Sequence, residues 1–249
     1  MDNDELIDAL AAEGGLLVAA VERGDPDAPV PTCPEWTLRE LVRHVGGIHR
    51  WATRIVSERA TGPIEESLET VAGGWPEDQD LAAWCRAGHL LLVDALHTAP
   101  VDLECWTFLR APSPRAFWAR RQLHETTIHR VDAEMVSGPA SPVPPAQAAD
   151  GIDELLTGFL PRRSSRLRPT SVRTIAVQPT DAGTAWLVTA GPDGATTERV
   201  AADADLVVSG TASDHFLLLW NRRDTVGVEL TGDVTLLDLW RTNVQVVFR

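Results

Sequence analysis

The stretch His124-Glu125-Thr126-Thr127-Ile128-His129-Arg130 holds the residues best suited to chemistry, because it sets a carboxylate and an imidazole four positions apart inside a helical pattern. On a helix, Glu125 and His129 share one face. At about 100° per residue, Phe117, Trp118, Ile128, Met135 and Val136 fall on that same half, and Arg121 and Asp132 point the same way. Burying a carboxylate among apolar side chains costs on the order of several kcal/mol unless something pairs with it. Two partners would serve: a bound cation, or a buried Glu-to-His hydrogen bond anchored by Arg121 one turn earlier.

The H-E-x-x-H zinc signature needs its histidines at i and i+4. Here they are five apart, and His124 lies roughly 140° around the helix from His129. The usable pair is therefore E-x-x-x-H, two ligands of an expected three. The second helix of the chain carries two histidines, and a lone histidine at the border of an apolar stripe is more often a satisfied structural residue than a ligand. Thr37-Leu38-Arg39-Glu40 has the spacing of a capping box with Thr37 as N-cap, and an amphipathic pattern follows through Leu41, Val45, Ile48, Ala52 and Ile55. His44 and His49 sit on opposite borders of that apolar stripe, and periodicity does not choose between them.

The remaining elements are read the same way. Leu6, Ile7, Leu10, Leu17, Val18 and Val21 predict a first helix over residues 4 to 22, weakened at Gly14-Gly15 and ending at Gly24. The proline-rich segment GDPDAPVPTCPEW excludes regular helix and central strand, and reads as a loop that delivers Trp36. Ile64 to Glu77 reads as a long connection with at most one short helix. A third helix over residues 79 to 98 stops before Pro100. The fourth spans Phe117 to Val136. Four helices with long loops predict a bundle whose site lies between facing helices.

After Val136 the composition turns to SGPASPVPPAQ, a domain boundary. The division expected is a helical domain over 1–137, a linker with a connecting helix over 138–168, and a smaller α+β domain over 169–249. The helix Ala146 to Phe159 carries Ile152, Leu155, Leu156 and Phe159 on one side, a stripe that must be covered, which predicts that the two halves interact. Strands follow at Val172 to Val177, Ala185 to Thr189, Thr197 to Val200, Leu206 to Ser209 and Val226 to Leu230, with helices over Ser213 to Arg222 and Leu236 to Thr242. The fold class is α+β.

A formal net charge of -14 and a pI near 4.8 argue against a nucleic-acid or anionic-membrane surface, either of which needs a clustered basic face. The acidic start MDNDELIDAL has no signal-peptide pattern, and no run approaches the ~20 apolar residues of a membrane span. Cys33, Cys85 and Cys105 are odd in number, widely spaced and without C-x-x-C, so reduced thiols and a cytoplasmic location are expected. None of the three lies in a histidine-and-acid pattern that marks a thiol nucleophile.

Three pieces together, Cys33-Pro34-x-Trp36-Thr37 leading to Leu41-Val42-x-His44, then His124-Glu125-x-x-x-His129-Arg130-x-Asp132-Ala133-Glu134, resemble the mycothiol-dependent maleylpyruvate isomerase family. Ala204-Asp205-Leu206-Val207-Val208 followed by Ser213-Asp214 and Leu217-Leu218-Leu219-Trp220 extends the resemblance, so that nearly the whole chain is covered. It implies a DinB-like four-helix bundle followed by a sterol-carrier-like α+β domain. It also implies three zinc ligands, by position His44, Glu125 and His129, and so selects His44 over His49. Two histidines and one carboxylate leave a tetrahedral zinc, or another divalent metal, with one open position. Asp132 is then a candidate to orient a ligand histidine, and Arg121 a candidate to bind substrate. The activity implied joins a small-molecule thiol, mycothiol, to an electrophilic substrate, as a thiol S-transferase or a cis-trans isomerase. The alternative is a non-catalytic protein holding a metal or an apolar ligand on the same fold.

Overall fold

The computed structural model describes residues 1–246, and the chain divides into two compact units, the first over Met1–Ser141 and the second starting at Pro142. The first begins with α1 (Asn3–Arg23), opened by an Asp2–Glu5 capping box and closed at Gly24 as the sequence predicts. A short hairpin follows, β1 (Pro29–Val30) paired antiparallel with β2 (Cys33–Thr37). It occupies the segment expected to be loop. The prolines are compatible because a two-stranded ladder has only edge strands, where a missing N–H costs nothing. α2 (Leu38–Ser57) starts on the expected cap, with the Thr37 side chain accepting from the Glu40 backbone and the Glu40 side chain accepting in return.

α3 (Leu68–Val71) is the single short helix of the long connection, and a 3-10 turn at Asp78–Asp80 leads into α4 (Leu81–Thr98). α5 (Pro114–Glu134) begins earlier than periodicity alone indicates, because Ser113 caps it and Pro114 occupies its first turn. The four long helices pack on one another, α1 against α4 and α5, α2 against α4 and α5. One core cluster joins Leu6, Leu10, Ile55, Leu92, Leu96, Phe117 and Trp118; the other joins Leu17, Val21, Val30, Leu41, Val45, Leu81 and Cys85. α5 is buried along nearly its whole length, polar residues included.

The glycine pair of α1 does not break the helix. Gly14 lies against the buried His89 ring of α4, so that a Cβ there would come within 2.1 Å of the imidazole, whereas a Cβ on Gly15 would meet nothing within 4 Å. Gly15→Ala is therefore expected to stabilise by about 0.5–1 kcal/mol through helix propensity. Gly14→Ala is expected to destabilise by about 1–3 kcal/mol through overpacking. Thermal melts of the two variants should move in opposite directions, and parallel shifts would contradict the packing argument.

The second unit opens with α6 (Pro145–Asp153), continued by a π-helical turn over Glu154–Phe159. Five strands follow with two more helices: β3 (Arg173–Pro179), β4 (Trp186–Gly191), β5 (Gly194–Glu198), β6 (Leu206–Gly210), α7 (Ala212–Leu219), β7 (Val228–Gly232) and α8 (Thr235–Asn243). The sheet order is β5-β4-β3-β6-β7, with β3 and β6 parallel at the centre and the other pairs antiparallel. The stripe Ile152, Leu155, Leu156 and Phe159 is buried. Its cover comes from the same unit: α6 packs on α7, Phe159 meets the Trp220 ring edge-on, and the Leu156 carbonyl accepts from Thr197 of β5. Contacts inside the second unit therefore cover at least part of this stripe. Among the described residues no helix is long and apolar enough to cross a membrane.

Candidate metal centre

The site is built where α2 faces α5 in the first unit. The capping box fixes where α2 begins, and with it the angular position of His44, which is turned toward α5. Helical spacing on α5 then stacks Arg121, Glu125 and His129 on successive turns of one face.

Both histidines converge on a single oxygen. His44 Nε2 and His129 Nε2 each lie 3.3 Å from Glu125 Oε1. The other carboxylate oxygen, Oε2, accepts from Arg121 Nη2 at 3.1 Å. Glu125 therefore has one oxygen committed to the guanidinium and one presented to the two imidazoles. A charge-assisted N–H···O⁻ hydrogen bond is shorter, about 2.7–2.9 Å. Tetrahedral bonds of about 2.0–2.1 Å to a zinc ion would hold neighbouring donors about 3.3–3.4 Å apart, which is the spacing of both pairs. All three donor atoms lie within 4.8 Å of one another. The residues present fit a divalent cation.

His129 is held from behind. Its Nδ1 lies 2.9 Å from Asp132 Oδ2, which directs Nε2 at the site. Burial pushes the His129 imidazole down, but the hydrogen bonds and charges of Asp132 and Glu125 outweigh it and raise the group to about 9. Burial pushes the Glu125 carboxyl up, yet the hydrogen bonds from His129 and His44, with the charges of His129 and Arg121, hold it well below the usual carboxylate range. For His44 burial prevails over its hydrogen bond to Glu125, and the group is lowered.

The hairpin forms the remaining wall. The Trp36 ring lies 4.8 Å from the His44 ring and 6.1 Å from the His129 ring, and Thr32 Oγ1 donates to Asp132 Oδ1 at 2.6 Å. Thr32 is a residue that sequence reading misses, since a threonine in a proline-rich loop has no periodicity to place it. Trp36 left a signal only as the aromatic that the loop delivers.

His49 is elsewhere. It is fully buried, its Nε2 lies 2.9 Å from the Thr126 hydroxyl, and its ring is 5.4 Å from that of His89. His124, also fully buried, is not among the three donors. Arg121, expected as a substrate-binding candidate, is 1% exposed and its guanidinium anchors the Glu125 carboxylate. Arg115 is likewise engaged, on the Leu96 carbonyl and Asp4. Of the cysteines, Cys33 Sγ lies 3.7 Å from Asp132 Oδ2, and burial pushes the Cys85 thiol up to about 12, which leaves it inert as a nucleophile.

A helical bundle with a two-histidine, one-carboxylate donor set, followed by a five-stranded α+β unit, defines a two-domain protein of the candidate metal-binding kind. Residues 7–134 match the family model of the mycothiol maleylpyruvate isomerase N-terminal domain, and residues 146–239 match that of the C-terminal domain of the same isomerase. The chain belongs to the mycothiol maleylpyruvate isomerase family. The crystal structure of the mycothiol-dependent maleylpyruvate isomerase is similar over 94% of this chain and 95% of that one, with a TM-score of 0.67 at 15% identity. A mutant of that isomerase gives a TM-score of 0.67 at 14% identity, with the same coverage. At these identities the likeness establishes a shared fold. No curated protein matches the chain.

Proposed function

We propose that this protein is a zinc-dependent enzyme, or one using another divalent cation, that takes a low-molecular-weight thiol, mycothiol, as cofactor or co-substrate. The observation that carries this reading is the convergence of two imidazoles on one carboxylate oxygen at a spacing longer than a charge-assisted hydrogen bond and suited to a shared cation. Membership of the mycothiol maleylpyruvate isomerase family supports it. His44, Glu125 and His129 would hold the ion, which when bound supplies a Lewis acid favouring the thiolate form of a thiol.

The chain's own residues supply the rest. To serve as a ligand His129 would present a deprotonated Nε2, while Asp132 accepts the hydrogen bond from Nδ1–H and keeps the ring's orientation. Arg121 balances the charge of Glu125 from the buried side. The Trp36 indole covers the two imidazoles with a polarisable face suited to sulfur.

The reaction with the electrophilic substrate is either S-transfer or a maleylpyruvate-isomerase-like cis-trans isomerisation. Elemental analysis of protein purified without an affinity tag, followed by turnover with mycothiol against a panel of electrophiles including maleylpyruvate, tests the reading. Geometric conversion with thiol conserved identifies an isomerase, and consumption of thiol in step with electrophile identifies a transferase. Bound metal with no thiol-dependent turnover would instead leave a metal-binding protein without catalysis.

A further inference from the structure

Asp132 is fully buried at the back of the site, and its two oxygens have different tasks. Oδ2 faces His129 Nδ1 at 2.9 Å, while Oδ1 accepts from the Thr32 hydroxyl at 2.6 Å. The second contact is in the range of an O–H···O⁻ bond to an ionised acceptor. It fixes rotation of the carboxylate, and through the carboxylate the tilt of the imidazole. Thr32 is itself held firmly, since it lies in the turn of a hairpin whose register pairs Val30 with Cys33, and Val30 is fully buried in the bundle core. Backbone bonds from Leu38 to Ala28 and from Arg39 to Pro26 tie the hairpin to the start of α2. The same strand lays Trp36 over both candidate ligand rings. The arm over residues 29–37 therefore reaches the site twice, once by a hydroxyl and once by an indole.

We infer that Thr32 is a positioning residue of the metal centre: its hydroxyl locks the Asp132 carboxylate that aims His129, so that the hairpin arm sets the affinity of the site for its cation. The inference rests on the proposed metal-dependent reading and adds a residue to it. Outer partners of ligating histidines are worth about 10–100-fold in metal affinity, and a group acting through such a partner falls at the lower end, about tenfold.

The test is the dissociation constant for Co(II) and Zn(II), measured on the full chain by competition with a chromophoric chelator, for wild type, Thr32→Val, Thr32→Ser, Asp132→Asn and the double variant Thr32→Val with Asp132→Asn. Thr32→Val keeps the shape and removes the donor, and should bind about tenfold more weakly, whereas Thr32→Ser should stay within about twofold of wild type. The double variant should bind no more weakly than Asp132→Asn alone, because the hydroxyl acts only through that carboxylate. Metal-free Thr32→Val should melt below metal-free Thr32→Ser, because it removes a donor from a buried carboxylate. Should Thr32→Val prove misfolded, comparison of Thr32→Ser with Thr32→Ala reads the same quantity. Wild-type affinity in Thr32→Val, or losses that multiply in the double variant, would overturn the inference and leave the metal site standing. Failure of the wild-type protein itself to bind either ion would overturn both.

Discussion

The His129→Ala protein is expected to keep less than about a tenth of wild-type metal occupancy and to lose thiol-dependent turnover by about a hundredfold or more, since a ligand to the ion itself is worth more than its outer partner. His44→Ala and Glu125→Ala should behave alike, because each removes one of three donors that lie within 4.8 Å of one another. His49→Ala and His124→Ala should retain occupancy near wild type. Both remove fully buried side chains and should therefore lower the melting temperature, which separates loss of packing from loss of metal. An ion that binds only the folded chain stabilises it by mass action. Chelator should accordingly lower the melting temperature of wild type and leave that of His129→Ala where it is. Full occupancy in both the His44 and His129 variants would reduce the cluster to a buried hydrogen-bond network.

A second large effect lies one residue along α5. Arg130 is fully buried and donates to Glu13 of α1 at 2.8 Å, to Glu134 at 2.9 Å and to the Ser141 carbonyl at 2.7 Å. Removing one member of a buried ionic network costs about 3–5 kcal/mol, because the remaining charge loses its partner without regaining water. Arg130→Ala should show a loss of that size in urea unfolding. The double variant Glu13→Met with Arg130→Met should recover most of it, since an apolar pair of similar volume avoids the desolvation cost altogether. A loss below about 1 kcal/mol in Arg130→Ala would place the network in the class of solvent-screened surface pairs.

Glu125 and His129 were legible because they are local: a helix puts i and i+4 on one face whatever the tertiary fold. His44 was not, for a reason the structure makes plain. Both histidines of α2 have polar partners on α5, His44 on Glu125 and His49 on the adjacent Thr126. A pattern of apolar positions is blind to that difference, and only the family resemblance chose between them. Helix and strand identities followed from periodicity, with boundaries moved by caps such as Ser113 and Pro114. The hairpin was hidden by its prolines, and Thr32 with it. Arg130 was equally hidden, since its partner Glu13 stands 117 positions away and sequence spacing says nothing about such a pair.

The placement of the three donors along the chain has a consequence for lifetime. His44 and Glu125 are 81 positions apart, whereas Glu125 and His129 are separated by one helical turn. An ion meeting the nascent or unfolded chain finds only the local pair, and closing the long loop to fetch the third donor costs entropy that two weak bonds do not offset. The complete set exists only once α2 has docked on α5. A cation captured only there would slow the reverse journey and leave the forward rate almost untouched. It would work as a latch: loading should lengthen the time the native bundle survives between excursions, and with it resistance to proteases that cut only opened chains.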